Sequence, residues 1–392
     1  MGERSRVRFA LTLLAFVAVL IPVPTQAQGI GIRVIDESYS YTFAKEAIFE
    51  IEIESTLREA NLFYTVEGEI GQSFRRAPIS GGRAVATVSL VSGQIPPASQ
   101  VTYFWRLEDS QGQLLRTNEQ SFRYLDQQFS WKSKTREDVT VFWYGRDNLG
   151  NQLLEQTEKS LGEVKNLLGL TQSQPIRVVF YQSWADMQPA VADRWGDQQV
   201  VSLGVAMNMQ TAVLFLHSSW EETLTHELTH VLTSQLMEGP YDRLPFWLSE
   251  GLATYTEGST REGTQNPLSI GLLSSGPTRA QDIGPAYAQA QSMVTFLIQE
   301  HGGEERILEL LTTMGQGETV DNALLSVYGF DRTELEKRWR AWVGKPIAET
   351  PQPQTPPQDE PIRFALAVGA FSVLCFGASV LLLCTLKKAW RK

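Results

Sequence analysis

The run Thr225-His226-Glu227-Leu228-Thr229-His230 carries the strongest chemical signal in the chain. His226 and His230 stand four residues apart, so on a helix they project from one face, one turn apart. Both imidazoles then reach a single metal ion. Glu227 lies about 100° round the helix from His226 and addresses a water at the metal without ligating. Only four histidines occur in 392 residues, so this spacing is specific for such a composition. Leu224, Leu228, Val231 and Leu232 sit on or near the opposite stripe and would bury the helix, which is what a rigid metal site needs. Ser219 followed by Glu222 predicts a capping box at the helix start.

A catalytic zinc needs a third ligand and an open fourth position. After His230 the chain reads Val231-Leu232-Thr233-Ser234-Gln235-Leu236, without the Gly and third His of the metzincin pattern. Instead Pro245-Phe246-Trp247-Leu248-Ser249-Glu250-Gly251-Leu252-Ala253 opens a second helix. The spacing from His230 to Glu250 allows helix, loop and antiparallel helix, which returns a carboxylate to the histidine face. Gly251 and Ala253 are expected to let these two helices approach closely.

His226-Glu227-x-x-His230 with Glu250 resembles the gluzincin arrangement, and Trp247-Leu248-Ser249-Glu250-Gly251-Leu252-Ala253 resembles the third-ligand segment of peptidase MA-like domains. The resemblance extends through Ala286-Tyr287-Ala288-Gln289-Ala290-Gln291-Ser292 to Tyr328-Gly329-Phe330 and Trp339, over roughly residues 131–345. It implies that His226, His230 and Glu250 ligate one Zn²⁺ and that Glu227 is the general base of a metallopeptidase acting on a peptide or protein. It also makes Tyr287 the candidate oxyanion partner, with Tyr255 and Tyr241 behind it. Thermolysin-type enzymes carry a histidine-orienting Asp four residues after the third ligand; here that position is Thr254. Zinc so held lowers the pKa of its water to about 7, and Glu227 moves the released proton to the leaving amine. A reading from another class is a cell-surface binding or adhesion protein with a catalytically inert zincin domain, against which the intact Glu227 speaks.

These residues need a scaffold. A strand with Val139, Val141 and Trp143 leads to an amphipathic helix with Leu149, Leu153, Leu154, Leu161, Val164 and Leu168 on one face. Strands follow at Ile176 to Tyr181, Val200 to Val205 and Thr211 to His217, and the pattern is helical from Ser219 almost to Trp342. The strand Thr211 to His217, just before the metal helix, is expected to pair with an extended substrate. His217 and His301 read as structural. From Gly29 to about Gln128 the pattern has period two, as in Ala47, Phe49, Ile51 and Ile53 against Glu50, Glu52 and Glu54. The expected fold class is α+β: an N-terminal all-β sandwich, immunoglobulin- or fibronectin-like, over residues 28–128. A zincin-like mixed sheet with helices follows over 129–345.

The formal net charge is −10, which argues against nucleic acid as the partner. The ends are apolar. Residues 1–27 have the layout of a secretory signal peptide, with Arg4, Arg6 and Arg8 before the run Phe9 to Val23. Residues 346–361 read as a Pro/Gln-rich linker, 362–386 as one transmembrane helix and 387–392 as a basic cytoplasmic tail. The expectation is a single-pass protein of the cell membrane with its N-terminal portion outside. Cys375 and Cys384, the two cysteines, both lie in the apolar segment, which excludes a cysteine hydrolase or a disulfide-stapled ectodomain.

Overall fold

Alternating apolar residues near the N-terminus form strands whose inward faces build one shared core. The computed structural model describes residues 32–344, apart from 70, 92, 192–201, 240–242 and 260–266. In chain order the first strands are β1 (Val34–Thr42), β2 (Glu46–Ile53), β3 (Leu57–Val66), β4 (Ser73–Arg76), β5 (Ile79–Ser80), β6 (Arg83–Ser89), β7 (Gln100–Asp109), β8 (Leu114–Arg116) and β9 (Gln120–Arg123). They make two antiparallel sheets, β1-β2-β6-β5 and β4-β3-β7-β8, with β9 also on β7. Phe49 and Ile51 from the first sheet meet Leu62, Tyr103 and Trp105 from the second. The N-terminal region is thus β-rich, its two sheets packed face to face as a sandwich.

The following segment runs β10 (Lys132–Arg136), β11 (Val139–Trp143), α1 (Leu149–Leu167), β12 (Ile176–Tyr181), α2 (Trp184–Met187), β13 (Gly204–Asn208) and β14 (Thr211–Phe215). Its five strands form one mixed sheet in the order β10-β11-β12-β14-β13. β11, β12 and β14 are parallel, and the outer strands β10 and β13 run antiparallel to their neighbours. Helices then follow: α3 (Trp220–Leu236), α4 (Phe246–Thr256), α5 (Ile270–Ser275), α6 (Ala280–Glu300), α7 (Gly303–Gly315), α8 (Val320–Tyr328) and α9 (Arg332–Trp342).

The mixed sheet is buried on both faces, and its period of two divides the work. Val141, Trp143, Val178, Phe180, Ala212 and Leu214 face the helical core. Phe142, Tyr144, Val179, Tyr181, Val205 and Val213 belong to the core of the sandwich. Every residue of β12 is therefore buried, as a central parallel strand requires. An ionic contact pins the junction: Arg177 on β12, 4% exposed, lies 2.7 Å from Glu67 and donates to the Thr211 hydroxyl at 3.0 Å. Arg123 holds the other oxygen of Glu67 at 2.9 Å.

The expected signal peptide, linker, transmembrane helix 362–386 and tail lie outside the described residues. Among the described residues no helix is long and apolar enough to cross a membrane. The expectation of a fold with a spanning helix, and of a single-pass cell-membrane location, is corrected on that finding. The longest described helix, α6, spans 21 residues but carries Asp282, Gln289, Gln291 and Glu300 and packs into the helical core.

Candidate metal centre

The helix of the two histidines, α3, starts with Glu221 and Glu222 in its first turn, where carboxylates favour the positive end of the helix dipole. The expected capping box is not made, because the Ser219 side chain accepts no cap hydrogen bond. His217 braces the approach to the helix: its Nδ1 accepts the Ser219 N–H at 3.2 Å and its Nε2 lies 3.1 Å from the Thr223 hydroxyl. Leu224, Leu228, Val231 and Leu232 are fully buried beneath the sheet, which fixes the rotation of the helix and turns the histidines toward α4. His301 caps α6 and packs edge-on against Phe296 and Phe330, a structural position.

His226, His230 and Glu250 come together as a cluster whose ligand atoms all lie within 4.8 Å of one another. Nε2 of His226 is 3.2 Å from Glu250 Oε2 and 3.2 Å from Nε2 of His230, and His230 Nε2 is 3.6 Å from Glu250 Oε2. A tetrahedral zinc with bonds of about 2.05 Å has ligand-to-ligand edges of about 3.3 Å. The three donors thus already describe one face of that tetrahedron, and two imidazoles with one carboxylate suit zinc chemically. The side chains are 12%, 4% and 14% exposed, so the group is nearly dry. Burial alone would lower the His226 pKa, but hydrogen bonds to the Glu250 and Glu257 carboxylates outweigh it and raise it to about 10. Burial likewise opposes the charge on Glu250, yet the imidazoles of His230 and His226 hold its carboxyl well below the usual range. The neighbouring carboxylates therefore favour positive charge at His226.

Each donor is oriented from behind. Glu257 Oε2 lies 2.8 Å from Nδ1 of His226, which leaves Nε2 as the inward atom. Ser249 Oγ lies 3.3 Å from Nδ1 of His230. Glu257 is in turn contacted by the Ser259 hydroxyl. Gln291 on α6 donates to the Thr254 carbonyl at 3.1 Å and also to the Ser259 carbonyl, clamping the end of α4. Glu257 and Ser249 escaped the sequence reading. The available signal was spacing: Glu257 lies two helical turns past Glu250 on the same face. At Thr254 the hydroxyl bonds its own helix, donating to the Glu250 carbonyl at 2.6 Å.

Glu227 is 7% exposed, and its Oε2 accepts the Ala206 N–H of β13 at 2.7 Å. Gly204 makes that approach possible, since a Cβ there would fall 2.8 Å from Glu227 Cγ and 2.9 Å from Thr223 Cγ2. The strand beside the site is therefore β13. The expected substrate strand, β14, is an interior strand between β12 and β13 and has no free edge. Gly251 also serves a different contact from the one expected: its Cβ would lie 2.5 Å from the Ala290 carbonyl, so it admits α6 rather than α3. Tyr287 reaches the site, with its ring 6.3 Å from that of His226. Tyr255 packs against the helical core, and Tyr241 lies outside the described residues.

Residues 156–345 match the family model of the Peptidase MA superfamily. No curated protein matches the chain. Among solved structures, a β-1,3-glucan-binding domain of carbohydrate-binding module family 56 is 14% identical, covering 22% of this chain and 96% of that one, with a TM-score of 0.18. A structure described as a myokine is 7% identical, covering 24% and 98%, with a TM-score of 0.21. The third fibronectin III domain of a human protein is 11% identical, covering 26% and 94%, with a TM-score of 0.20. At these scores the structural likenesses bear on neither fold nor function.

Proposed function

On a chain whose residues 156–345 form a peptidase MA superfamily domain, we propose a metal-dependent peptidase in which His226, His230 and Glu250 hold one zinc ion and Glu227 is the general base. The observation that carries this reading is the donor triangle of 3.2, 3.2 and 3.6 Å. When bound, zinc supplies Lewis acidity, bringing a coordinated water to a pKa of about 7 and polarising a carbonyl.

The chain's own groups supply the rest. Glu227 takes a proton from the attacking water and passes it to the leaving amine. The Ala206 N–H on Oε2 holds the carboxylate in place and leaves Oε1 to receive that proton. An extended peptide lies along the outer edge of β13, which no described strand pairs, and exchanges ladder hydrogen bonds with it. Tyr287 donates its phenolic proton to the developing oxyanion, a role its place beside His226 supports. The sandwich covers the face of the mixed sheet opposite the helices, so it acts as a scaffold and not as a plug in the cleft.

The test is the zinc-loaded full chain on a mixed peptide library beside Glu227→Gln, with zinc content measured for both. Cleavage by the wild type and none by the variant, at equal zinc, supports the reading. Equal cleavage by both, or a silent wild type with zinc bound, rejects it.

A further inference from the structure

The outward face of the sheet β4-β3-β7-β8 carries its side chains in two straight cross-strand rows. Arg76 stands opposite Asn61, Asn61 opposite Arg106, and Arg106 opposite Arg116. One step along the strands, Phe74 stands opposite Phe63 and Phe63 opposite Phe104. The rings stack, with centroids 5.8 and 5.3 Å apart. Arg106 lies 4.5 Å over the Phe63 ring and Arg116 lies 3.7 Å over Phe104, while Phe74 at the sheet edge is 59% exposed.

This arrangement costs stability. Two arginines directly opposite each other repel, and a bare phenylalanine on an edge strand invites association. The acids nearby cancel the row only in part, since Glu59 bonds a neutral amide and faces Glu108, whose charge Arg58 already takes. Glu108 pairs with Arg58 at 2.8 Å, Glu59 accepts from Asn61 at 2.9 Å, and Glu119 takes Arg116 at 2.7 Å. Among the described residues neither Arg76 nor Arg106 has an ion pair. A local rule broken on a rigid, exposed surface marks a place where something else supplies the missing partner.

We propose that this face docks a short acidic segment of a polypeptide, with carboxylates on Arg76 and Arg106 and an apolar side chain against Phe74. Guanidinium groups take carboxylates in bidentate geometry. Strands spaced about 4.8 Å apart put Arg76 and Arg116 roughly 14 Å from each other, the length of about four extended residues. The net charge of −10 selects against a long polyanion such as a nucleic acid or an acidic glycan, whose many charges the rest of the surface repels. A peptide of a few acidic residues is short enough to lie along the arginine row without crossing the Glu59–Glu108 pair beside it. The choice of a polypeptide rests on the peptidase reading, for which this face is a docking site separate from the metal centre.

The experiment uses the full chain in its Glu227→Gln form, so that no probe is consumed. Binding of a fluorescein-labelled ten-residue peptide with four glutamates and one phenylalanine is followed by anisotropy. Saturable binding that weakens with salt, and falls at least tenfold in Arg76→Glu/Arg106→Glu and severalfold in Phe74→Ser, is the expected result. Unchanged circular dichroism in these variants separates lost binding from lost fold, and Arg106→Gln serves as a milder second variant if the double reversal unfolds. Absence of binding, equal binding by the variants, or tighter binding of an oligonucleotide or sulfated glycan of equal charge overturns the proposal. Failure of the peptidase reading shows separately, as silence of the wild type in the cleavage assay.

Discussion

Glu257 lies 2.8 Å from Nδ1 of His226, two helical turns beyond Glu250, so α4 and its C-cap supply both a candidate metal donor and the carboxylate that aims another. A carboxylate behind a ligating imidazole fixes its tautomer and raises its basicity. Glu257→Ala should therefore weaken zinc affinity about 10- to 100-fold, with Glu257→Gln losing less because its amide oxygen still accepts. Competition with a chelating dye reads this directly, and unchanged affinity in Glu257→Ala would sink the assignment.

A second prediction concerns the base. Gly204→Ala places a methyl group 2.8 Å from Glu227 Cγ. If Glu227 is the general base proposed above, displacing its carboxylate by about 1 Å costs about 100-fold in rate. The variant should bind zinc as the wild type does and lose most of its kcat, measured on whichever library peptide is cut best.

The pair α3 and α4 was legible because its information is local. The i, i+4 histidines and the Trp247 to Ala253 segment name their own geometry. Glu257 was not legible, since one acid among 44 Asp and Glu at a helix end carries no mark of its partner. The edge strand was misassigned for a related reason. β13 and β14 are neighbours in sequence, and only the long-range pairing of β14 with β12 decides which of them stays at the edge.

Helix spacing gives a third test. Gly251→Ala would bring a Cβ within 2.5 Å of the Ala290 carbonyl and 2.7 Å of Val294 Cγ2. The first of these is backbone and cannot swing away, so α4 and α6 must part. A loss of about 2–3 kcal/mol is expected, read as a lower denaturant midpoint. A midpoint equal to the wild type's would show that the helices are not in contact there.

Stability should also depend on pH through the sandwich. Burial pushes the Glu37 carboxyl up to about 7, with the Thr117 hydroxyl opposing and Asp36 adding. Between pH 4.5 and 7 the folded chain then binds more protons at Glu37 than the unfolded chain, so this group's contribution falls as pH rises and is lowest above 7. Glu37→Gln should melt like the wild type at pH 4 and higher than it at pH 8. Parallel melting curves at both pH values would contradict the shift.

The mixed sheet has no side of its own. Val179, Tyr181 and Val213 complete the sandwich core while Val178, Phe180 and Leu214 complete the helical one. Unfolding either layer bares the sheet that the other stands on, so heat should not peel them apart. Calorimetry should record one cooperative transition whose van't Hoff and calorimetric enthalpies agree. For the living cell this ties the integrity of the helical layer to a part of the chain made before it. A lesion in the sandwich would lower the amount of folded protein without altering the His226–His230–Glu250 cluster of any molecule that folds.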